Sequence, residues 1–337
     1  MFAKFVQPYW AALDDTLQDV VRSALPDEDG FGVMVRYAMG WENADGSRYE
    51  KVTGKRLRPA LLLMTNQSAG GNWEDALYAA SSVELLHNFS LIHDDIQDDS
   101  PIRHGRSTVW KVWGIANAIN AGDAMFALAY TSMEKMAEVV SPEIALGLWS
   151  IFNRTNLELT RGQHLDMRFE HLDAVSVEDY VSMLKGKTGS LLSACAEMGA
   201  LIATGNKEQA RKYGEFGLNM GIAFQIRDDI LGIWGNSSVT GKSAATDIQS
   251  KKKSLPVLYG LSNSSELVEL YKIETFGEAE IDQAVTLLDA VQAREYAIEQ
   301  EQKFHQAAMK ALDEAQPDHN ASQAIHEFVD ALFDRTY

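Results

Sequence analysis

Two short acidic runs carry most of the chemistry this chain can offer. Residues 84–106 read ELLHNFSLIHDDIQDDSPIRHGR, and residues 224–232 read FQIRDDILG. Both lie in apolar stretches with helical spacing. Asp94 and Asp98 are four apart, so on a helix their carboxylates share one face. Like charges there repel, and a carboxylate on an otherwise apolar helix is costly unless a cation neutralises it. A hard divalent cation that takes oxygen ligands, such as Mg²⁺, would do so. Asp228 and Asp229 repeat the pattern. Two facing acidic helix ends would hold a cluster of metal ions, and such a cluster attracts polyphosphate. A single such run is more often a solvated helix face. The second copy and the cations that accompany it weigh against that reading here.

The cations come in four places. TGKRLRP at 53–59 sets Lys55 and Arg58 three apart at the start of an apolar helix, with Pro59 suited to a first turn. Cations at a helix N-terminus oppose the macrodipole, and a bound anion would relieve that conflict. Arg103 and Arg106 follow the first acidic run. KGKTGSLLSA (185–194) groups Lys187, Thr188 and Gly189. TGKSAATDIQSKKKSLP (240–256) is a polar loop with Lys242, Lys251, Lys252 and Lys253. One lysine run would be weak evidence. Acidic and basic clusters in this order along one helical chain are a specific signal.

From about Lys51 to Leu261 the chain resembles the trans-isoprenyl diphosphate synthase (polyprenyl synthetase) family. The pieces that carry the resemblance are GKRLRP, LLHNFSLIHDDIQD, RHGRSTVW, GDAMFALA (122–129), GQHLDM (162–167), KTG, FQIRDDIL and the GK–D–KK–P loop. The resemblance implies condensation of isopentenyl diphosphate with an allylic diphosphate in the presence of Mg²⁺, with three ions expected and Mn²⁺ able to substitute. It implies that Asp94 and Asp98 bind two metals and Asp228 a third, that Asp95 and Asp229 support them, and that Gln163 and Asp166 complete the surroundings. Arg103, Lys187, Thr188, Gln225, Lys242 and Lys252 would hold the allylic diphosphate. Lys55, Arg58, His87 and His104 would face isopentenyl diphosphate. A homodimer is expected on the same ground.

Two positions depart from the family pattern. His104 stands where a second arginine is usual, so its charge depends on pH, with Arg106 as a possible substitute. Gly232 stands where the second acidic motif usually ends in Asp, leaving Asp228 and water for the third metal. Product length is expected to depend on Phe89 and Ser90, about 7.5 and 6 Å below Asp94 at 1.5 Å per residue. Phe89, with no insertion in the acidic motif, resembles enzymes that stop at C20, with C15 next. The other reading makes Phe89 an ordinary core residue. The alternatives weighed are a medium-chain (C25–C30) synthase, a class I terpene cyclase, a head-to-head synthase and a non-catalytic subunit of a heteromeric synthase. A cyclase has no use for Lys55 and Arg58, a head-to-head enzyme lacks GKRLRP, and a silent subunit is expected to lose an acidic motif.

The elements that must position these residues are helices. Periodicity is helical nearly throughout, only seven prolines occur, and strand-like alternation is scarce. The expectation is one all-α domain over residues 1–337, a bundle of long helices around a central cavity. With 337 residues and 46% hydrophobic content the chain can bury a large core. No apolar run reaches membrane-spanning length, and MFAKFVQPYWAALDD makes a poor signal peptide. A net charge of −18 argues against nucleic acid. The single cysteine, Cys195, lies among apolar residues, where packing suits it better than nucleophilic catalysis. A cytoplasmic location is expected.

Overall fold

A computed structural model describes residues 3–26, 30–49, 56–170, 172, 174–235 and 246–333. These residues are almost entirely helical, as the periodicity predicts. The order is α1 (Ala3–Ala24), α2 (Phe31–Ala38), α3 (Leu57–Ser68), α4 (Leu77–Gln97), a two-stranded hairpin of β1 (Ile102–Arg103) and β2 (Arg106–Ser107), α5 (Val109–Trp113), α6 (Ile115–Glu134), α7 (Pro142–Glu170), α8 (Val177–Leu184), α9 (Ser190–Thr204) and α10 (Lys207–Trp234). Then come α11 (Thr246–Gln249), α12 (Leu255–Asn263), α13 (Ser265–Tyr271), α14 (Glu278–Ala290), α15 (Ala293–Glu314) and α16 (His319–Phe333). No described helix is long and apolar enough to cross a membrane.

The chain divides into two compact units. The first takes residues 1–150, 198–207 and 318–324. Its centre is α4, which packs most extensively on α6 and also meets α1 and α3. Leu85 and Leu86 of α4, Leu61–Leu63 of α3, Leu13 and Leu17 of α1 and Met125 of α6 are fully buried. Each such side chain contributes about 1.5–3 kcal/mol. Small residues set the spacing. A Cβ on Gly122 of α6 would overlap the His93 ring of α4, so glycine lets α6 come close one residue before Asp94.

The second unit takes residues 151–197, 208–317 and 325–337. Ile222, Ile226 and Ile230, spaced by four along α10, pack on Tyr180, Met183 and Leu184 of α8 and on Leu255 and Leu258 of α12. Capping fixes the shorter helices. The Ser176 hydroxyl accepts the Asp179 N–H at 3.0 Å to start α8, and Ser264 does the same for Leu267 at 3.1 Å to start α13.

Candidate active site

In the first unit the acidic run lies at the end of α4. Asp98 is the C-cap, and its N–H donates to the Asp94 carbonyl at 2.9 Å. Asp99 follows in the left-handed region at φ 48°. The Ser100 N–H returns to the Asp95 carbonyl at 2.9 Å, closing a Schellman motif with Asp where Gly is usual. The carboxylates therefore sit at the negative end of the helix dipole, which makes an added cation more favourable. One cation comes from the chain itself. The loop His104–Gly105, with φ 51° and 76°, closes the hairpin as a two-residue turn of positive φ. Thr108 Oγ1 and Trp110 Nε1 both donate to the Ser100 carbonyl at 2.9 Å and hold the hairpin against the end of α4. Arg103 then reaches back and donates Nε and Nη2 to one oxygen of Asp95, each at 2.8 Å.

The two residues of this Asp–Asp pair have different environments. Asp95 is buried, whereas Asp94 is half-buried and Asp98 exposed. Burial pushes the Asp95 carboxyl up, against the pull of Arg103, and Asp98 adds to the rise. Nearby, Arg58 of α3 donates Nη1 to His87 Nε2 of α4 at 3.0 Å. Burial, then the charges of Arg58, Arg103 and His104, hold His87 well below the usual imidazole range. A neutral ring accepts the Arg58 proton, as the geometry requires. His104 itself is exposed at the hairpin tip. Arg106 is engaged elsewhere. It lies between the Tyr37 and Tyr49 rings, 4.0 Å from each centroid, and donates to the carbonyls of Tyr37 and Glu42. It clamps residues 37–49, so it is a poor substitute for the arginine that His104 replaces.

Below Asp94, the half-buried Phe89 ring meets His93 at 4.7 Å and Phe126 of α6 at 5.0 Å between centroids. Phe126 meets Tyr130 at 5.1 Å, and Tyr130 meets Trp149 at 5.5 Å. Ser90 donates its hydroxyl to the His87 carbonyl at 2.8 Å.

The second unit repeats the asymmetry with different partners. Asp228 is half-buried and Asp229 fully buried on α10. Asp229 accepts the Tyr180 hydroxyl, with Lys252 Nζ, Gln225 Nε2 and the Leu255 N–H each 3.4 Å away. Burial raises the Asp229 carboxyl, while Lys252 and then Tyr180 oppose the rise. Burial works against the Lys252 ammonium, but Asp229, Asp247 and Asp166 outweigh it and hold it above the usual lysine range.

Lys187 is presented by a π-helical turn, Lys185–Gly189, between α8 and α9. Such turns are frequent at functional sites. Gly186 and Gly162 touch backbone to backbone. A Cβ on Gly186 would come within 2.6 Å of the Glu158 carbonyl, and one on Gly162 would overlap the backbone of Lys187. That approach pairs Lys187 with Asp166 of α7. Thr188 donates to Gln225 at 3.3 Å. The lysine run sorts itself by partner. Lys251 donates to the Tyr271 carbonyl at 3.2 Å and Lys253 to the Phe169 carbonyl at 2.8 Å. Lys252 alone of the three faces Asp229 and Asp247.

Mg²⁺ fits this donor set. Among the described residues, no three His, Cys, Asp or Glu side chains form a ready cage. Mg²⁺ needs none, because it is held by one or two carboxylates together with substrate phosphates and water. The dipole-opposed carboxylates of α4 supply hard oxygen donors of the right kind.

Residues 45–288 match the polyprenyl synthetase family. The chain belongs to that family. Among curated family members, the (2E,6E)-farnesyl diphosphate synthase of Mycobacterium tuberculosis H37Rv is 40% identical over 230 residues, 68% of this chain and 63% of that enzyme. The match thus spans less than two-thirds of that enzyme's length. The geranylgeranyl diphosphate synthase of the same organism is 36% identical over 287 residues, 84% of this chain and 81% of that enzyme. Among solved structures, the polyprenyl synthetase of Streptomyces coelicolor A3(2) superposes with a TM-score of 0.86 at 31% identity, over 98% of this chain and 97% of that one.

Of the residues expected from sequence, the polyprenyl synthetase fold groups Arg58, His87, Asp94, Asp95, Asp98, Arg103 and His104 in the first unit. It groups Gln163, Asp166, Lys187, Thr188, Gln225, Asp228, Asp229 and Lys252 in the second. Lys55 and Lys242 lie outside the described residues. Four residues that support the site escaped the sequence reading. Tyr180 and Asp247 hold Asp229 and Lys252. Arg56 pairs with Asp14 of α1 at 2.6 Å and lies over the Trp10 ring at 4.5 Å. Asp247 stood inside a quoted motif and had a legible signal. Arg56 also stood inside a quoted motif, but its partners Asp14 and Trp10 lie in another helix, and Tyr180 and Asp14 had no such signal.

Proposed function

We propose that the chain is a head-to-tail trans-prenyltransferase. It joins isopentenyl diphosphate to an allylic diphosphate and releases a short all-trans prenyl diphosphate, C20 in preference to C15. The observation that carries this reading is the division within each Asp–Asp pair. One carboxylate is buried and tied to a protein cation or hydroxyl, while its neighbour stays half-buried.

The allylic substrate must lose pyrophosphate by breaking its C1–O bond. Asp94 and Asp98 in the first unit, and Asp228 in the second, would hold Mg²⁺, which would supply Lewis-acid neutralisation of a leaving diphosphate. Lys187 and Lys252 in the second unit and Arg103 in the first would each bind diphosphate oxygens, and each is kept ready by a carboxylate partner, so little reorganisation accompanies charge development. Thr188 and Gln225 fix the orientation of the diphosphate. Arg58 and the neutral His87, with the hydrogen-bonding His104, hold the diphosphate of isopentenyl diphosphate. Its double bond attacks the allylic C1, and the new cation loses a proton to the departing pyrophosphate. No side chain is then needed as catalytic base. A homodimer accords with family membership, and the exposed Ile115 and Ile119 of α6 offer apolar surface for it.

C20 rests on Phe89. Its half-buried ring, tilted against Phe126 and continued by Tyr130 and Trp149, suits the end wall of a chain-binding space better than a sealed core. The similarity to both a farnesyl and a geranylgeranyl synthase does not choose between C15 and C20. The test is incubation of purified protein with Mg²⁺, labelled isopentenyl diphosphate and dimethylallyl, geranyl or farnesyl diphosphate, with products separated by chromatography. The wild type is expected to stop at C20 and Phe89→Ala to extend by at least one five-carbon unit. Absence of condensation with every primer overturns the activity. An unchanged product from Phe89→Ala with a large fall in melting temperature overturns the end wall.

A further inference from the structure

Gly232 lies within α10, three residues after Asp229, and its φ is outside the positive region, so the backbone does not require glycine there. Alanine is the better helix former. The reason for glycine is on its surface. A Cβ at 232 would lie 2.5 Å from Cγ and 2.9 Å from Oδ1 of Asp247. The Asp247 carboxylate thus fills the space that a side chain at 232 would take. It has little freedom to move. Its neighbour Ile248 is fully buried in a cluster with Ile233, Val257 and Leu267, and its carbonyl accepts the Lys252 N–H at 2.9 Å. From that seat its Oδ2 lies 3.5 Å from Lys252 Nζ, which in turn lies 3.4 Å from Asp229.

We propose that Gly232 and Asp247 act as one unit, in which the missing side chain admits a carboxylate that positions Lys252 against Asp229. Asp247 is a positioning residue and works through Lys252. The inference rests on Lys252 as a diphosphate-binding residue, and it deepens the reading of the Gly232 departure. In this chain an acidic side chain at 232 would compete with Asp247 for the same space.

The test compares the parent, Gly232→Ala, Asp247→Ala and the double variant by melting temperature. Affinity for inorganic pyrophosphate in magnesium buffer is read by calorimetry. In the parent, Gly232→Ala is expected to lower the melting temperature and weaken pyrophosphate by about tenfold, the loss of one charge-assisted contact. In the Asp247→Ala background the same change is expected to raise the melting temperature, because only helix propensity remains, and to leave affinity unaltered. Asp247→Asn keeps the volume and removes the charge. It is expected to weaken pyrophosphate with little change in melting temperature. Stabilisation by Gly232→Ala in both backgrounds, losses of affinity that multiply in the double variant, or parental affinity in Asp247→Asn would each overturn the proposal. The sign reversal in melting temperature needs no prenyl substrate, so it stands or falls apart from the condensation assay.

Discussion

Asp95 and Asp229 occupy the same place in two Asp–Asp pairs, yet the protein neutralises them differently. Asp95 stands at a helix end and has one main partner, the Arg103 side chain, which is still 35% exposed. Asp229 lies inside a helix, wholly buried, and meets a hydroxyl, an ammonium, an amide and a backbone N–H. Removing Asp95 is expected to cost little, since the Arg103 left behind is partly exposed and can turn to water. Removing Asp229 is expected to cost more, because each stranded buried group keeps its desolvation penalty. On the proposed function, the outer carboxylates Asp94, Asp98 and Asp228 are expected to serve the ligand, and the inner two serve the protein.

The largest effect separates outer from inner. Asp94→Ala or Asp98→Ala is expected to cut turnover by roughly a thousandfold or more, in the range of losing a preorganised electrostatic contact, while the fold is kept. Removing a negative charge from a helix C-terminus also favours stability, so the melting temperature is expected to hold or rise. Near-normal turnover in both would break the division.

Stability separates the inner pair. Asp229→Ala strands the Tyr180 hydroxyl and the Leu255 N–H, at about 1–3 kcal/mol each. Asp95→Ala releases Arg103 to solvent, and its cost is expected to stay under about 1 kcal/mol. Urea unfolding of the two variants measures the difference, and equal losses would erase the contrast.

The hairpin provides a finer test. If His104 at its tip faces isopentenyl diphosphate, His104→Arg is expected to lower the KM for that substrate by about tenfold, from a charge-assisted bond of about 1.5–3 kcal/mol. The KM for the allylic substrate is expected to stay nearly constant. An unchanged value at pH 8 would remove His104 from the site.

The smallest effect is on pH dependence. His87 is held below the usual imidazole range in the folded protein, by burial and then by Arg58. Below about pH 6.5 the unfolded chain binds a proton that the folded chain resists. Its contribution to stability is therefore present above that value and lost as pH falls. His87→Gln is expected to flatten the fall in melting temperature between pH 6.5 and 5, and identical profiles would show that His87 titrates normally.

Much of this was legible in the sequence because the chemistry is local. DDIQD, KTG and FQIRDD place their residues by helical spacing alone, and the apolar period marked the helices that carry them. What spacing cannot show is which charge meets which. Lys251, Lys252 and Lys253 read as one run by spacing, and only the family resemblance singled out Lys252; carbonyls of Tyr271 and Phe169 take the outer two. It offered Arg106 as a replacement cation, whereas two tyrosine rings and two carbonyls hold it. The hairpin was invisible because two-residue strands leave no alternation to read. From sequence, Gly232 left Asp228 and water for the third metal, and nothing in the spacing shows the carboxylate of Asp247 packed against it.

The division between outer and inner carboxylates is tested most directly by calorimetric titration of inorganic pyrophosphate into the wild type and into Asp94→Ala/Asp98→Ala, each with and without Mg²⁺. The expected result is binding that requires Mg²⁺ in the wild type and falls sharply in the double variant at unchanged melting temperature. Equal affinity with and without Mg²⁺, or full affinity in the double variant, would contradict it.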